Sequence, residues 1–411
     1  MREHAWPTIV LIGLSMTACQ DGQPPPAEPV VRDSAGIRIV ENADIGWDAA
    51  AAWVVADTPS LDLGSIDADP EYQFYRVVGA ATLSDGRIVV ASGGTQEVRW
   101  YDPAGTLVAT AGGEGQGPGE FTGLVALGVL PGDSVLAYDM RLQRFTVFDA
   151  DAADVRSVPL EQLDRPGMRF PVLLGVLDDG ALVMVGRDLQ TEGMAEGPVR
   201  APMPVYVYGP DGTSRDSIGT FHGWEASVTI RRNSQQVAMA IGDRPFGHST
   251  TVTSVGDGIV VGTPHSYELA IFRPDGALRS IVRLDRPAQL LTAADIEAYE
   301  AFLASQAEDN ELAREQRREA AELEYPETKP AYASAIRGDR LGNIWVPGFA
   351  VSEEQRPPLW AVFDREGRYL GELELPGRLR VFEIGSDYVL GVWRDELDVE
   401  HVRRYPLIKP N

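Results

Sequence analysis

One unit is written six times into this chain: a turn carrying Asp and Gly, an apolar strand, a strand with alternating aromatics, a turn such as Pro-Asp-Gly, and a last strand. The clearest copy is "SDGRIVVASGGTQEVRWYDPAGTLVATAGG" (84–113). Others occupy 132–160, 178–221 (with an insertion), 256–284 and 340–376, and a sixth, "GSDYVLGVWRDELDVEHVRRYPLI" (385–408), stops one strand short. Apolar and polar residues alternate with period two, as half-buried strands require. Pro103-Ala104-Gly105, Pro210-Asp211-Gly212 and Pro274-Asp275-Gly276 combine the fixed φ of proline with the positive φ open to glycine, as tight hairpins need. A single four-stranded unit cannot bury both of its faces, so the units must stack about an axis. The expected fold is all-β, a six-bladed β-propeller over 33–411. An N-terminal strand within "AWVVADTPSLDLGS" (52–65) supplies the strand that the sixth copy lacks.

The glycine-rich run "ATAGGEGQGPGEFTGL" (109–124) tests the alternative of a nucleotide site. Its glycines do not fit G-x-G-x-x-G, no Gly-Lys-Ser/Thr follows, and Glu114 and Glu120 would repel a phosphate. It falls between the last strand of one unit and the first of the next, so it reads as a hinge with Phe121 wedged into the core. There it resembles the linker of NHL-type six-bladed propellers. "AIRGDRLGNIWV" (335–346) is similar to an NHL signature, and "DSAGIRIVEN" (33–42) resembles the opening of six-bladed propeller lipoproteins. The resemblance covers nearly the whole chain after residue 32. It implies architecture more than activity, because propellers host unrelated functions.

Two insertions break the pattern. Residues 188–202 read as a polar loop within the third unit. Residues 291–330 read as helical: Thr292 with Asp295 resembles a capping box, Ile296, Tyr299 and Leu303 share a face, and Pro326 ends it. This segment reads as a lid, a partner-docking helix or a solvated decoration.

The start of the chain speaks to location. "MREHAWPTIVLIGLSMTAC" has an apolar run too short to span a bilayer, with small residues before Cys19, the only cysteine. It resembles a bacterial lipobox, which implies a signal peptide over 1–18 and acylation of Cys19. Gln20 after the cysteine favours the outer membrane, and the proline-rich 19–32 suits a tether. The expected setting is the cell envelope, periplasmic or at the surface, with the membrane reached through the lipid. A lone cysteine excludes an internal disulfide. Net charge is −25, from 61 acidic and 36 basic residues, which disfavours nucleic acid as a partner.

Function is less legible, and no cofactor motif stands out. The acidic turns 67–71 and 149–154 lack the glycine and closing glutamate of a calcium loop, and no G-x-S-x-G elbow occurs. The first residues of inner strands line a propeller's funnel. These are expected to include Tyr75, Arg76, Phe121, Arg169, Phe170, His248, Tyr332 and Arg380. Arginines and aromatics together would make a cationic, stackable pocket for a small anionic ligand; alternatively they plug the channel by pairing with acids. The first reading is a ligand- or protein-binding scaffold without catalytic residues. The NHL resemblance implies a second: a metal-assisted lyase or hydrolase, of the amidating-lyase or gluconolactonase kind, at the funnel. His222, His248, His265 and His401 have no paired spacing, so any metal site would be assembled from separate units.

Overall fold

A computed structural model describes residues 28–47, 51–65, 69–163, 168, 171–186, 196–232, 237–306, 324–351 and 358–410. The leader, Cys19, most of the tether, Asp67, Arg169 and Phe170 lie outside these residues.

The described strands form six antiparallel sheets, with one parallel addition noted below. Sheet 1 (Val77–Thr82, Ile88–Ser92, Glu97–Tyr101, Leu107–Gly112) and sheet 2 (Leu124–Val129, Val135–Asp139, Arg144–Phe148, Val155–Pro159) are plain four-stranded meanders. Sheet 3 begins with Val172–Val176 and Leu182–Val185, then runs into the long strands Gly197–Tyr208 and Ser214–Arg232, and ends with Val237–Asp243. Sheet 4 (Thr251–Val255, Gly258–Gly262, Glu268–Phe272, Leu278–Asp285) is extended by Ile37–Ala43, which pairs in parallel with its last strand, and by Val30–Ser34. Sheet 5 holds Arg337–Gly338, Ile344–Pro347, Leu359–Phe363 and Tyr369–Glu374. Sheet 6 holds Leu379–Ile384, Tyr388–Arg394 and Glu400–Ile408. Its last strand receives Leu61–Leu63 and Val54–Val55, so the ring is closed by the segment expected from the truncated sixth copy.

Contacts between first strands run from sheet 1 to 2, 3, 4, 5, 6 and back to 1, which makes these strands the wall of a central channel. The apolar core is divided accordingly into six clusters, each lying between two neighbouring sheets. Between sheets 1 and 2, for example, Trp100, Phe121 and Phe148 are fully buried together, with Trp100 edge-on to Phe148 at 5.5 Å. The inner strands approach so closely that side chains are limiting. A Cβ on Gly79 would meet Leu127 Cβ at 2.5 Å. Radial sheets packed face to face around a channel define a β-propeller.

The quoted motifs find physical roles. In "GDRLGNIWV" the buried Asp339 carboxylate accepts from the N–H groups of Leu341 and Asn343, from Asn343 Nδ2 (2.7 Å) and from Trp345 Nε1 (3.1 Å), which locks the turn between two strands. The hinge at 113–120 is pinned by Arg144, whose guanidinium donates to the carbonyls of Gln116, Gly117 and Glu120. In the acidic turn 149–154, Asp149 accepts from the N–H groups of Ala153 and Asp154, closing its own loop.

The third unit departs from the expected loop. Residues 197–202 are strand, paired with the region of Glu225–Val228, because the insertion extends a β-ribbon rather than leaving the sheet. His222 therefore lies within the strand Ser214–Arg232. The helical insertion is α-helix over Ala293–Gln306, whereas 324–330 are not helical and 307–323 lie outside the described residues. Its Thr292–Asp295 capping box is present, with reciprocal bonds of 3.0 and 3.3 Å.

Candidate functional site

The inner strands enclose a cavity of about 1100 Å³ lined by residues from all six sheets. One end is bounded by the loops joining first and second strands, with Ser84, Asp133, Asp178 and Arg340. The other end is bounded by Trp224, Asp243, Ser249, Thr250 and Ser334, around the entries to the first strands. The wall between is mostly Gly, Ala, Val and Leu, with Thr251, Thr253 and Ser254 on sheet 4 and Arg337 on sheet 5. A concave cavity of this order, with apolar strand residues along its wall and polar groups at both ends, is a form that small-molecule sites take.

Beside the second mouth lies a polar cluster that the long ribbon of sheet 3 creates. Glu225 projects from Ser214–Arg232 and bonds Arg244 at 2.6 Å, Arg200 at 3.3 Å and the His248 N–H at 2.6 Å. Arg200 also donates to the His248 carbonyl at 2.7 Å. Burial pushes the Glu225 carboxyl up, but the His248 N–H and the two guanidinium groups outweigh it and hold it below the ordinary value. His248 is buried and stacks on His265 with ring centroids 4.3 Å apart. Burial lowers the pKa of both rings, with His265 and Arg200 adding positive charge near His248. Thr328 Oγ1 lies 3.3 Å from His248 Nε2, and Phe246 packs on Tyr299, Tyr325 and Phe349. The helical insertion is thus docked on the face that carries His248, while the cavity lining includes no helix residue.

The funnel residues expected from sequence divide sharply. His248 does sit immediately before an inner strand, at the mouth. Tyr332 and Phe121 are fully buried between sheets: the Tyr332 hydroxyl donates to the Glu268 carbonyl, and Phe121 belongs to the sheet 1–2 core. Residues just before an inner strand serve as wedges between blades, because that is where the chain crosses from one sheet to the next. Tyr75 is 73% exposed and does not line the cavity. Arg76 donates to the Gly93 carbonyl at 2.6 Å; Arg380 donates to the Val77 carbonyl and covers the Phe382 ring at 4.8 Å. These two arginines staple backbone rather than converge. Sequence reading missed Arg337, which stands inside the quoted "AIRGDRLGNIWV", and Glu225, whose partners Arg200 and Arg244 are brought to it only by ribbon pairing. A charged residue between Ile336 and Gly338 at the head of a strand was the available signal for the former.

The sheets make the chain a β-propeller with a central cavity. No family model matches the chain. No curated protein matches it. Among solved structures it is similar to a protein described as exported from Bacteroides fragilis, with 13% identity, 91% of this chain and 100% of that one covered, and a TM-score of 0.47. It is also similar to a DUF4221-family protein from Bacteroides vulgatus (9% identity, 88% and 99% covered, TM-score 0.48). A gluconolactonase from Xanthomonas campestris gives 14% identity, 88% and 99% coverage and a TM-score of 0.41. The fold itself is defined by the six sheets and their order.

Proposed function

We propose that this chain is a lipid-anchored, extracytoplasmic, six-bladed propeller that acts as a binding scaffold and takes a small ligand into its central channel. The observation that carries the binding reading is the cavity of about 1100 Å³ walled by all six sheets. The anchor rests on Cys19 and the lipobox-like run before it. Binding is tested by a thermal-shift screen on the full chain and on Ala81→Trp, which adds bulk at the wall. A ligand that stabilises the parent and not the variant supports the channel; equal stabilisation of both places the site elsewhere. Cys19→Ser should release the protein from membranes, since no described helix is long and apolar enough to span them. Retention of that variant in the membrane fraction refutes the anchor.

The second reading, a metal-assisted lyase or hydrolase, draws on the stacked His248 and His265. The cluster does not fit a metal well. His248 Nε2 faces Thr328, Glu225 is committed to two arginines, and among the described residues no group of three His, Cys, Asp or Glu side chains converges.

A further inference from the structure

Two arginines line the channel wall, and they differ in what balances their charge. Arg340, at one end, pairs with Glu383 at 2.5 Å. Arg337 stands at the head of the first strand of sheet 5. It donates Nε to the Val381 carbonyl at 3.2 Å and Nη1 to the Ile336 carbonyl at 3.0 Å. Among the described residues no carboxylate pairs with it, and its Nη2 donates to none of them. The channel's own acids are elsewhere: Asp133 and Asp178 at one end, Asp243 at the other, where it accepts from the Trp224 indole, and Glu383 already bonded to Arg340, Tyr388 and the Thr82 N–H. Burial pulls the Arg337 pKa below its ordinary value, and the nearby Arg380 adds like charge rather than relief. Arg337 is half-buried at the cavity wall, its guanidinium stays charged there, and a wall charge with no counter-ion of its own is free to pair with an anion.

We infer that Arg337 is a ligand-binding residue whose free guanidinium edge takes the carboxylate of a small organic monoanion, with the rest of the ligand along the aliphatic wall. This rests on the channel being the binding site. A planar fork of donors matches a carboxylate, and a concave site screens such a pair less than the open surface does. A carboxylate fits better than a phosphate dianion, because one unpaired guanidinium faces an otherwise neutral wall that includes Val78, Ala81, Val125 and Thr253. The two carbonyl bonds aim the fork in advance, so little side-chain freedom is lost on binding.

The test uses the full chain in detergent and a panel of aromatic, aliphatic and sugar monocarboxylates, each paired with its neutral amide, plus inorganic phosphate. At least one carboxylate should raise the melting temperature while its amide does not, and added salt should weaken the effect. Arg337→Gln should weaken that carboxylate by about tenfold to a hundredfold, as expected for a charge-assisted pair. Arg337→Lys keeps the charge but loses the fork, so it should retain part of the affinity; it also serves if the glutamine variant does not fold. Equal stabilisation by acids and amides, unchanged by either variant, overturns the anion site but leaves the channel as a binding site. A stronger effect of phosphate than of every carboxylate overturns the ligand class. No stabilisation of the parent by any compound overturns both this inference and the channel reading.

Discussion

Sheets 1 and 2 and sheet 3 are built from the same repeat, yet they have become different things. In sheets 1 and 2 each strand is just long enough to span the blade, and the buried residues between them are Trp100, Phe121, Phe148 and aliphatics. Sheet 3 keeps that packing on its second and third strands, where Val183 and Val205 share a cluster with Ile259 of sheet 4. Its strands then continue as a ribbon past the mouth of the channel. Out there the stabilising contacts are ionic: Glu225 between Arg200 and Arg244, under the paired histidines. The lesson is that the ring is held by non-directional apolar burial, whereas the mouth is held by a few directional, charge-dependent bonds. Apolar burial is insensitive to pH and tolerant of small shifts. A buried ion cluster is strongly weakened when one member is lost.

That contrast can be broken in several ways. The largest effect should come from removing residues 52–65, which leaves the last strand of sheet 6 with unpaired backbone groups and opens the ring. Loss of cooperative unfolding, or aggregation, is expected by calorimetry; an unchanged melting profile would show that closure is not structural. Phe121→Ala should cost about 3–5 kcal/mol in global stability by denaturant titration, as for other buried aromatics. A cost below about 1 kcal/mol would mean that the wedge collapses without penalty.

At the mouth, Glu225→Gln should cost about 2–3 kcal/mol, because two guanidinium groups lose their charged acceptor. This effect should appear as faster amide exchange in the ribbon rather than in Ile88–Ser92. The same region should respond to acid. His248 and His265 titrate below their ordinary 6.5 in the folded chain, so the unfolded chain takes up protons first. Their contribution is complete above that value and is lost as pH falls through the lowered pKa values. Glu225, held below its ordinary 4.5, adds a second loss at still lower pH, which the glutamine variant removes. Protection of the ribbon amides, taken relative to their intrinsic exchange rate at each pH, should therefore fall as pH drops from about 7 to about 5 while that of sheets 1 and 2 changes little; parallel changes in both regions would erase the distinction. The smallest effect is expected from Thr292→Ala. It removes one half of the capping box and should cost about 1 kcal/mol, felt locally as fraying at Ala293 and measurable by exchange.

Much of the ring was legible in the chain. Period-two alternation, the Pro-x-Gly turns and the truncated sixth copy are local signals, and each follows from backbone sterics or from the need to bury one face of a strand. They located the six sheets, the hinge with its buried Phe121, the capped start of the helix and the strands that close the last sheet. The parallel docking of Ile37–Ala43 on sheet 4 had no such signal, since an added edge strand is chosen by what lies beside it. The candidate site was mostly illegible for the same reason. Whether an arginine points at a carbonyl, a carboxylate or open space depends on residues far away in sequence. Arg380 is spent on Val77, and Glu225 gathers Arg200, Arg244 and His248 only because a ribbon folds back over the mouth. Local chemistry decided the strands and turns; the ring alone decided which charges were left facing the channel.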